Sequence, residues 1–292
     1  MDIDEVKKVC VVGAGAMGSQ IALNTALYGY QVSLTDTSPE VLQKARDWAA
    51  EYLESRVAKG KITAEKAAEA KAALVFAKDL QTAAKDADVV IEAVVEKLDI
   101  KRQLFAELDN ICPAHTILAT NSSTIVSSKI ADATKRPDKV LNMHYFNPAL
   151  VMELVEVVQG PHTSEESAQL IMELSRRTGK IPILLKKEIS GFVANRILGA
   201  VIREACSLLE KGIATHEEID LAVEKALRYP LGPFRLMDMT GIDVSYLVRE
   251  QRFNETGLEE DRPPRVIEEK YKKGEWGKKT GKGFYDYAQG PK

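Results

Sequence analysis

The chain of 292 residues is poor in several features that would place it in a structural class at once. It has three cysteines, and Cys10, Cys112 and Cys206 stand far apart without Cys-x-x-Cys spacing, which argues against a disulfide framework and a zinc site. No apolar run approaches the roughly 18 residues of a membrane-spanning helix, and the acidic N-terminus is unlike a signal or transit peptide. We therefore expect a cytoplasmic protein without a metal.

The sequence also lacks a strong charge of either sign. Its 40 lysine and arginine residues and 43 acidic residues give a net charge of −3, which provides no field for nucleic acid or an anionic membrane. The 45% hydrophobic and 28% charged residues are typical of a globular protein, and the length favours two domains. The expected partner is a small molecule that is recognised locally.

A glycine-rich motif follows the first predicted strand. Residues 9–12 are a short β-branched run, residues 13–18 have the pattern Gly-x-Gly-x-x-Gly, and the apolar residues after them have helical spacing. Gly13 permits a tight turn, Gly15 lets backbone amides approach a pyrophosphate, and Gly18 allows the helix to pack closely. This arrangement predicts a dinucleotide-binding site.

The acidic residue after the next strand indicates which dinucleotide binds. Residues 31–35 form the second predicted strand, which ends at Asp36, where a carboxylate would bind the adenosine ribose hydroxyls. No base follows at positions 37–39, where an arginine or lysine would favour a 2′-phosphate. The sequence therefore predicts NAD in preference to NADP.

A helical hairpin is predicted at about residues 39–72. A crossover between parallel strands needs little more than a dozen residues, so a segment of this length should stand off the sheet. Its tip carries Arg56, Lys59 and Lys61 with no acidic residue between them. These bases suit a phosphate-bearing ligand tail, and an ordinary solvated loop explains them equally well.

Strands and helices continue to alternate up to the last predicted strand, residues 181–185. This alternation predicts an α/β domain with a doubly wound, mainly parallel Rossmann-type sheet over residues 1–188. The hydroxyl-rich residues 120–124 close the carboxyl end of one strand, at the rim where such sheets bind ligands. Their hydroxyls are candidates for substrate contacts, although such turns also cap helices routinely.

One histidine and two glutamates stand in apolar company within residues 141–158. His144 ends an apolar run, a turn follows it, and residues 151–158 alternate like a strand. Glu153 and Glu156 are an odd number apart, so they should point to opposite faces, one of them towards the interior. A buried carboxylate needs a partner, and the turn returns the strand to His144, which predicts a general base with its orienting group. The alternative is an edge strand with two solvated glutamates and a core histidine.

The apolar spacing changes near residue 189, and residues 189–292 are predicted to form a smaller all-helical domain. The apolar positions of its first helix are so broadly distributed that we expect burial around most of the circumference, and from this a homodimer through the domain. Asn195 lies in the first turn of that helix, where it could contact substrate or only satisfy the helix end. The basic, glycine-rich residues 274–287 are expected to pack against this domain.

Eight motifs along nearly the whole chain resemble those of the 3-hydroxyacyl-CoA dehydrogenase family, especially its short 3-hydroxybutyryl-CoA dehydrogenases. The motifs are residues 13–18, 92–97, 121–123, 144–148, 151–156, 191–196, 229–234 and 281–287. The resemblance implies an oxidoreductase that transfers hydride between NAD and C3 of a short-chain 3-hydroxyacyl-CoA, in fatty-acid or butyrate metabolism. Ser122 and Glu153 depart from the threonine and lysine that are usual in the family.

The resemblance also implies roles for single residues. His144 would be the catalytic base and Glu156 its partner, with Ser123 and Asn195 as substrate contacts. The coenzyme A moiety would lie against the hairpin that carries Arg56, Lys59 and Lys61. The implied cofactor contacts are Gly13, Gly15, Ala16, Met17, Gly18, Asp36, Glu96, Lys101 and Asn121.

Hydride transfer gives these roles a chemical reason. When C3 loses hydride its hydroxyl must lose a proton, which His144 would accept while Glu156 stabilises the imidazolium. Ser123 would then hydrogen-bond the C3 oxygen, and Asn195 would fix the acyl end. One alternative is a dehydrogenase of a free hydroxy acid such as gulonate, which would not need the basic hairpin tip. The other is a non-catalytic, crystallin-like NAD-binding protein, against which an intact histidine–glutamate pair argues.

Overall fold

The computed structural model describes residues 1–287, which divide into unit 1, residues 1–192, and unit 2, which begins at Val193. Unit 1 is built on one eight-stranded sheet with the order β3-β2-β1-β4-β5-β6-β7-β8. Its strands are β1 Lys8–Val12, β2 Gln31–Thr35, β3 Leu74–Phe76, β4 Val89–Glu92, β5 Ile117–Thr120, β6 Val140–Tyr145, β7 Leu154–Val158 and β8 Ile181–Leu185. Neighbouring strands are parallel except β6 and β7, which confirms the predicted mainly parallel Rossmann-type sheet.

Helices cover both faces of this sheet. They are α1 Ala16–Leu27, α2 Pro39–Ala58, α3 Ala64–Ala73, α4 Leu80–Ala84, α5 Leu98–Ile111 and α6 Glu165–Arg177. Alternate residues of β1 divide between two core clusters, Val9 and Val11 in one and Cys10 and Val12 in the other. Because both faces of a parallel sheet are covered, its inner strands are apolar almost throughout. Because β1, β4, β5 and β6 pair in parallel, their carboxyl ends lie at one edge of the sheet.

The predicted hairpin is present as α2 and α3, which begin and end close to the expected residues. Ser38 caps α2, because its side chain accepts a hydrogen bond from the Val41 amide. The small residues Ala45 and Ala49 of α2 are buried in the same apolar cluster as residues of α1. This part of the hairpin therefore packs against the rest of unit 1.

The cap of α6 is Ser164, whose Oγ accepts from the Ser167 amide, whereas the adjacent Thr163 Oγ1 donates to the Val140 carbonyl. One detail of the sequence interpretation is wrong. Strand β7 begins at Leu154, so the exposed Glu153 precedes the strand and does not lie on its outer face. Glu156 is the buried one of the two glutamates, and burial of one of them was expected. The alternation of side chains along a strand does not determine where Glu153 points, because Glu153 lies outside the strand.

Unit 2 is helical. Its helices are α7 Ala194–Glu210, α8 His216–Ala226, α9 Pro233–Thr240, α10 Ile242–Thr256 and α11 Arg265–Lys272. They surround a separate apolar cluster that includes Ile202, Phe234 and Met237. The expectation that α7 is buried around most of its circumference is wrong for the single chain, because Ile197 is 56% exposed. One face of α7 packs inward, and apolar side chains remain outside.

The glycine-rich tail is held by Asp238, whose carboxylate is buried. Its two oxygens accept hydrogen bonds from the backbone amides of Phe284 and Tyr285, both at 2.9 Å. A Cβ on Gly283 would lie 2.0 Å from Asp238 Oδ1, so only glycine leaves room for this contact. The prediction that the tail packs against the helical domain is confirmed for its described part, which ends at Tyr287.

Candidate active site

The glycine motif adopts the geometry that a bound pyrophosphate needs. Gly13 has φ +100°, and a Cβ there would lie 2.6 Å from the Ala93 carbonyl oxygen. A Cβ on Gly18 would lie 1.8 Å from the Gly13 carbonyl oxygen, so both positions require glycine. Gly15, in contrast, has open space where its Cβ would be. The chain itself therefore fills the space around Gly13 and Gly18 and leaves Gly15 accessible.

Helix α1 begins at this open position. Gly15 is its N-cap and provides no side-chain hydrogen bond, so the amides of the first turn, at Ala16 and Met17 among others, keep their capacity to bind an anion. The partial positive charge of a helix N-terminus favours the same ligand. These residues fit the diphosphate of NAD, whose nicotinamide ring would supply the hydride-accepting carbon.

Asp36 lies at the next strand end and is held by backbone amides. Its Oδ2 accepts from the Ala14 amide at 2.7 Å and its Oδ1 from the Ser38 amide at 2.9 Å. The carboxylate therefore faces the glycine motif, as a contact to the adenosine ribose requires.

Two cations line the pocket beside Asp36, and the sequence interpretation missed both. The pocket is lined by Asp36, Thr37, Pro39, Leu42, Gln43, Arg46 and Lys78. Lys78 follows β3, and the register pairs Leu34 with Phe76, so two residues further on Lys78 comes opposite Asp36. The Arg46 guanidinium lies 4.9 Å from the centre of the Phe76 ring. The pairing of β2 with β3, which the sequence does not display, brings Lys78 to the site, whereas Arg46 reaches it from α2.

Ser123, His144 and Glu156 form a continuous hydrogen-bonded line. Strands β6 and β7 pair in antiparallel register with His144 directly opposite Glu156. The two side chains meet at 2.8 Å between Nδ1 and Oε2, and Ser123 Oγ lies 2.9 Å from His144 Nε2. A carboxylate only accepts hydrogen bonds, so Nδ1 carries the proton and Nε2 is free to accept one. The expected histidine–glutamate contact is therefore present, and the serine joins it.

This line is shielded from solvent on the glutamate side. Glu156 is fully buried and His144 is 3% exposed, whereas Ser123 is partly exposed. The ring centres of Phe146 and Phe192 lie 4.6 and 5.3 Å from that of His144. A charge that develops on the imidazole therefore interacts with Glu156 in an environment of low polarity, where such an interaction is strong.

The residues around Ser123 connect it to strand ends at the same edge. Asn121 Oδ1 accepts a hydrogen bond from the Tyr145 amide at 2.9 Å. The buried Asn142 donates to the Ile125 carbonyl at 3.0 Å and accepts from the Ser127 amide at 2.8 Å. The serine is thus fixed with respect to β6, which carries His144.

Glu96 and Lys101 are close together, but they differ in exposure. The Glu96 side chain is 37% exposed, whereas that of Lys101 is 1% exposed and its Nζ lies 2.6 Å from Glu92 and 3.3 Å from Glu96. Burial alone would raise the pKa of Glu96, but hydrogen bonds from Ser122 and Thr124 and the charge of Lys101 outweigh it and lower that pKa. Glu96 is therefore a carboxylate near neutral pH, and Lys101 faces protein carboxylates and not the open edge.

The remaining predicted contacts lie at the surface of their units. Lys59 and Lys61 are exposed at the hairpin tip, and the guanidinium of Arg56 lies 5.8 Å from the centre of the Tyr52 ring. Asn195 lies in the first turn of α7 in unit 2, and it is exposed. Its exposure leaves the amide accessible to a ligand.

Lys180 is a further residue that no sequence signal identified. Its side chain is buried, and Nζ donates to the carbonyls of Ala149 at 2.5 Å and Met152 at 3.0 Å. Burial lowers its pKa, against a smaller opposing effect of Glu153. The lysine fastens the loop between β6 and β7, the two strands that carry the histidine and the glutamate.

Other kinds of chemistry find less support in the described residues. The three cysteines are buried and unpaired, and burial raises the pKa of each thiol, to about 11 for Cys112, so they stay protonated. Within residues 1–287 no three histidine, cysteine or acidic side chains group as metal ligands would. None of the helices in that part of the chain has the length and apolar character needed to cross a membrane.

Comparison with known proteins agrees with this geometry. A family model described as "3-hydroxyacyl-CoA dehydrogenase, NAD binding domain" matches residues 8–189. A second, "3-hydroxyacyl-CoA dehydrogenase, C-terminal domain", matches residues 191–287. The resemblance inferred from the eight motifs is thereby confirmed.

Individual relatives align along most of the chain. The "Probable 3-hydroxybutyryl-CoA dehydrogenase" of Bacillus subtilis is 38% identical over 285 residues, 98% of this chain and 99% of that protein. The 3-hydroxyadipyl-CoA dehydrogenase of Escherichia coli is 40% identical over 97% of this chain, which spans 59% of the length of that protein. The crystal structure of (S)-3-hydroxybutyryl-CoA dehydrogenase PaaH1 from Ralstonia eutropha matches with a TM-score of 0.90 and 36% identity, covering 97% of this chain and 99% of that one. The chain therefore belongs to the 3-hydroxyacyl-CoA dehydrogenases, a family of NAD-dependent oxidoreductases.

Proposed function

We propose that this protein interconverts a short-chain (S)-3-hydroxyacyl-CoA and the corresponding 3-oxoacyl-CoA, with 3-hydroxybutyryl-CoA and acetoacetyl-CoA as its preferred pair. The line from Ser123 through His144 to Glu156 carries this proposal. It places a proton acceptor and a hydroxyl donor at the sheet edge where the glycine motif lies. Oxidation of a secondary alcohol by hydride loss needs that combination.

The residues of the line have distinct tasks in the proposed reaction. Residues 13–18 and Asp36 would hold NAD, which would supply the acceptor for the hydride of C3. His144 Nε2 takes the hydroxyl proton, and Glu156 holds the imidazole in the tautomer that leaves Nε2 free and stabilises the imidazolium. Ser123 Oγ hydrogen-bonds the C3 oxygen and so positions it for His144. In the reverse direction His144 returns its proton to that oxygen.

Residues at the surface are proposed to bind the rest of the substrate. The relatives from Bacillus subtilis and Ralstonia eutropha are named for 3-hydroxybutyryl-CoA, which supports a short acyl chain. The exposed Lys59 and Lys61 would engage coenzyme A phosphates at the hairpin tip, together with Arg56. Asn195 would hold the acyl end. We place the protein in the cytoplasm, because thiols stay reduced there and the three cysteines are unpaired. Its proposed role is in fatty-acid or butyrate metabolism.

Initial rates with NADH test the substrate assignment directly. The predicted order of kcat/KM is acetoacetyl-CoA first, a longer 3-oxoacyl-CoA second, and free acetoacetate at least about a hundredfold below the first, because it lacks the coenzyme A contacts. Reversing the charges of Arg56, Lys59 and Lys61 to glutamate should raise KM for acetoacetyl-CoA at least about tenfold at unchanged kcat.

Lys71, an exposed base in the last turn of α3, provides the matched control, and Lys71→Glu should leave KM within about twofold. A free 3-oxo acid that is reduced as efficiently as its thioester would contradict the substrate assignment. An unchanged KM in the tip variant would show that the tip is only a solvated turn.

The pocket beside Asp36 refines the expectation of NAD over NADP. The Asp36 carboxylate would repel a 2′-phosphate, while Arg46 and Lys78, which line the same pocket, would attract one. We therefore assign the preference for NAD to the charge of Asp36 alone, because bases are absent at positions 37–39 but two others line the pocket.

Neutralising Asp36 should weaken this preference. The parent should favour NADH over NADPH in kcat/KM by at least about tenfold, and Asp36→Asn should narrow the ratio while its Oδ1 still accepts from the Ser38 amide. Adding Arg46→Gln and Lys78→Gln should remove whatever NADPH activity Asp36→Asn gains. Comparable efficiency of the parent with both cofactors would overturn the assignment.

Unit 2 supports the proposal of a homodimer. It comprises about one third of the chain, yet it holds more than half of the large apolar side chains that the described residues expose. Among them are Leu221, Leu247 and Val248, which are 55%, 47% and 51% exposed. Exposed apolar area of this kind is typical of a surface that a second subunit covers.

The mass in solution tests this association. The parent at micromolar concentration should scatter light as a particle of about twice 32.2 kDa. The variant Leu247→Glu with Val248→Glu should be monomeric, because two charges are costly to bury in an apolar interface. Val75→Glu, at an equally exposed position of unit 1, should leave the dimer intact. A monomeric parent would contradict the proposal.

A further inference from the structure

A buried glutamate that none of the proposed roles uses lies one strand away from the serine of the active site. Glu92 is the last residue of β4 and is fully buried. Its Oε1 accepts from the Val94 amide at 2.7 Å and from Lys101 Nζ at 2.6 Å. Its Oε2 accepts from Thr120 Oγ1 at 2.6 Å. A buried carboxylate with this many donors is a fixed element of the structure.

Lys101 extends this fixed element to Glu96. Its ammonium is 1% exposed and bridges the two carboxylates, at 2.6 Å from Glu92 and 3.3 Å from Glu96. Glu92 is anchored in the sheet, whereas Glu96 lies in the segment between β4 and α5. Lys101 therefore connects the partly exposed carboxylate of Glu96 to the buried carboxylate of Glu92.

Glu96 in turn holds both neighbours of Ser123. Its Oε1 accepts hydrogen bonds from Ser122 Oγ and from Thr124 Oγ1, the latter at 2.6 Å, and the Thr124 amide lies at 3.3 Å. We call residues 121–125 the serine turn. Its central residue, Ser123, contacts His144. The residues on either side of Ser123 both donate hydrogen bonds to the carboxylate of Glu96.

We propose that Glu92, Lys101 and Glu96 form a positioning relay that fixes the serine turn and thereby the distance from Ser123 to His144. In this account Lys101 acts through Glu96, so its effect on the reaction requires no contact with the cofactor. The inference rests on the proposed role of Ser123, and it assigns Glu92 a role in the reaction from a position that substrate does not reach.

The test removes the buried charges as a pair. Lys101→Met alone leaves Glu92 buried without its cation and can prevent folding, so the main variant is Glu92→Gln with Lys101→Met. We expect this double variant to fold, while kcat for acetoacetyl-CoA reduction, measured at saturating NADH, falls at least tenfold. When both substitutions are made in the Ser123→Ala background, the further loss of kcat should be less than twofold, because the relay acts through that serine.

A second buried ion pair that involves a residue of α5 provides the control. Asp109, near the other end of α5, lies 2.7 Å from Arg136 Nε and accepts from the Lys135 amide. Asp109→Asn should lower the denaturant midpoint and leave kcat per NADH-binding site within twofold of the parent. This comparison separates positioning from a loss of stability.

Backbone hydrogen exchange gives a readout that needs no substrate. In the relay variant the amides of the serine turn should exchange at least tenfold faster, and in Asp109→Asn they should exchange as in the parent. These rates test the relay even if the parent proves inactive on acetoacetyl-CoA, a result that would refute the substrate and not the relay. Unchanged exchange and unchanged kcat in the relay variant would overturn the proposal. A loss of kcat that is equally large in the Ser123→Ala background would do so as well, because it would show that the relay does not act through that serine.

Discussion

The hydrogen bond between His144 and the buried Glu156 is the interaction on which the active site depends. A carboxylate at full burial is costly unless it has a partner, and the register of β6 and β7 supplies one directly opposite. The imidazole gains a fixed orientation from the same contact. A single antiparallel pairing thus satisfies a buried charge and prepares a proton acceptor.

Other parts of unit 1 keep that contact in place. Lys180 fastens the loop between the two strands, and Asn142 ties β6 to the residues around Ser123. The rings of Phe146 and Phe192 lie beside the imidazole on the apolar side. Because these supports are distant in sequence, the geometry of the site is a property of the assembled sheet and not of one motif.

The sequence predicted what short-range patterns determine. The glycine motif, the strand before it and the acid after β2 are set by local rules of turns and periodicity, and the structure has them where they were expected. The caps of α2 and α8, Ser38 and Thr215, also follow local chemistry, since each side chain accepts a hydrogen bond from an amide of the first helical turn. The histidine–glutamate pair was found because a buried carboxylate must have a partner.

What the sequence missed depends on register or burial. Lys78 reaches the pocket of Asp36 only through the pairing of β2 with β3, and Glu92 meets Lys101 because β4 ends beside the first turn of α5. The apolar pattern of α7 was taken to indicate burial within one chain, whereas Ile197 is exposed. Periodicity shows which positions are apolar, but it does not show which surface covers them.

The coupling of His144 and Glu156 in catalysis is the most direct test of this account. It is measured as kcat per folded, NADH-binding site for His144→Gln, Glu156→Gln and the double variant. General acid–base catalysis contributes on the order of 10²–10⁴ in rate, so His144→Gln should lose at least about a hundredfold. Glu156→Gln should also be slow, and it should add little once His144 is replaced. A His144→Gln enzyme within about tenfold of the parent, with lowered stability in both single variants, would make the pair structural and contradict the account.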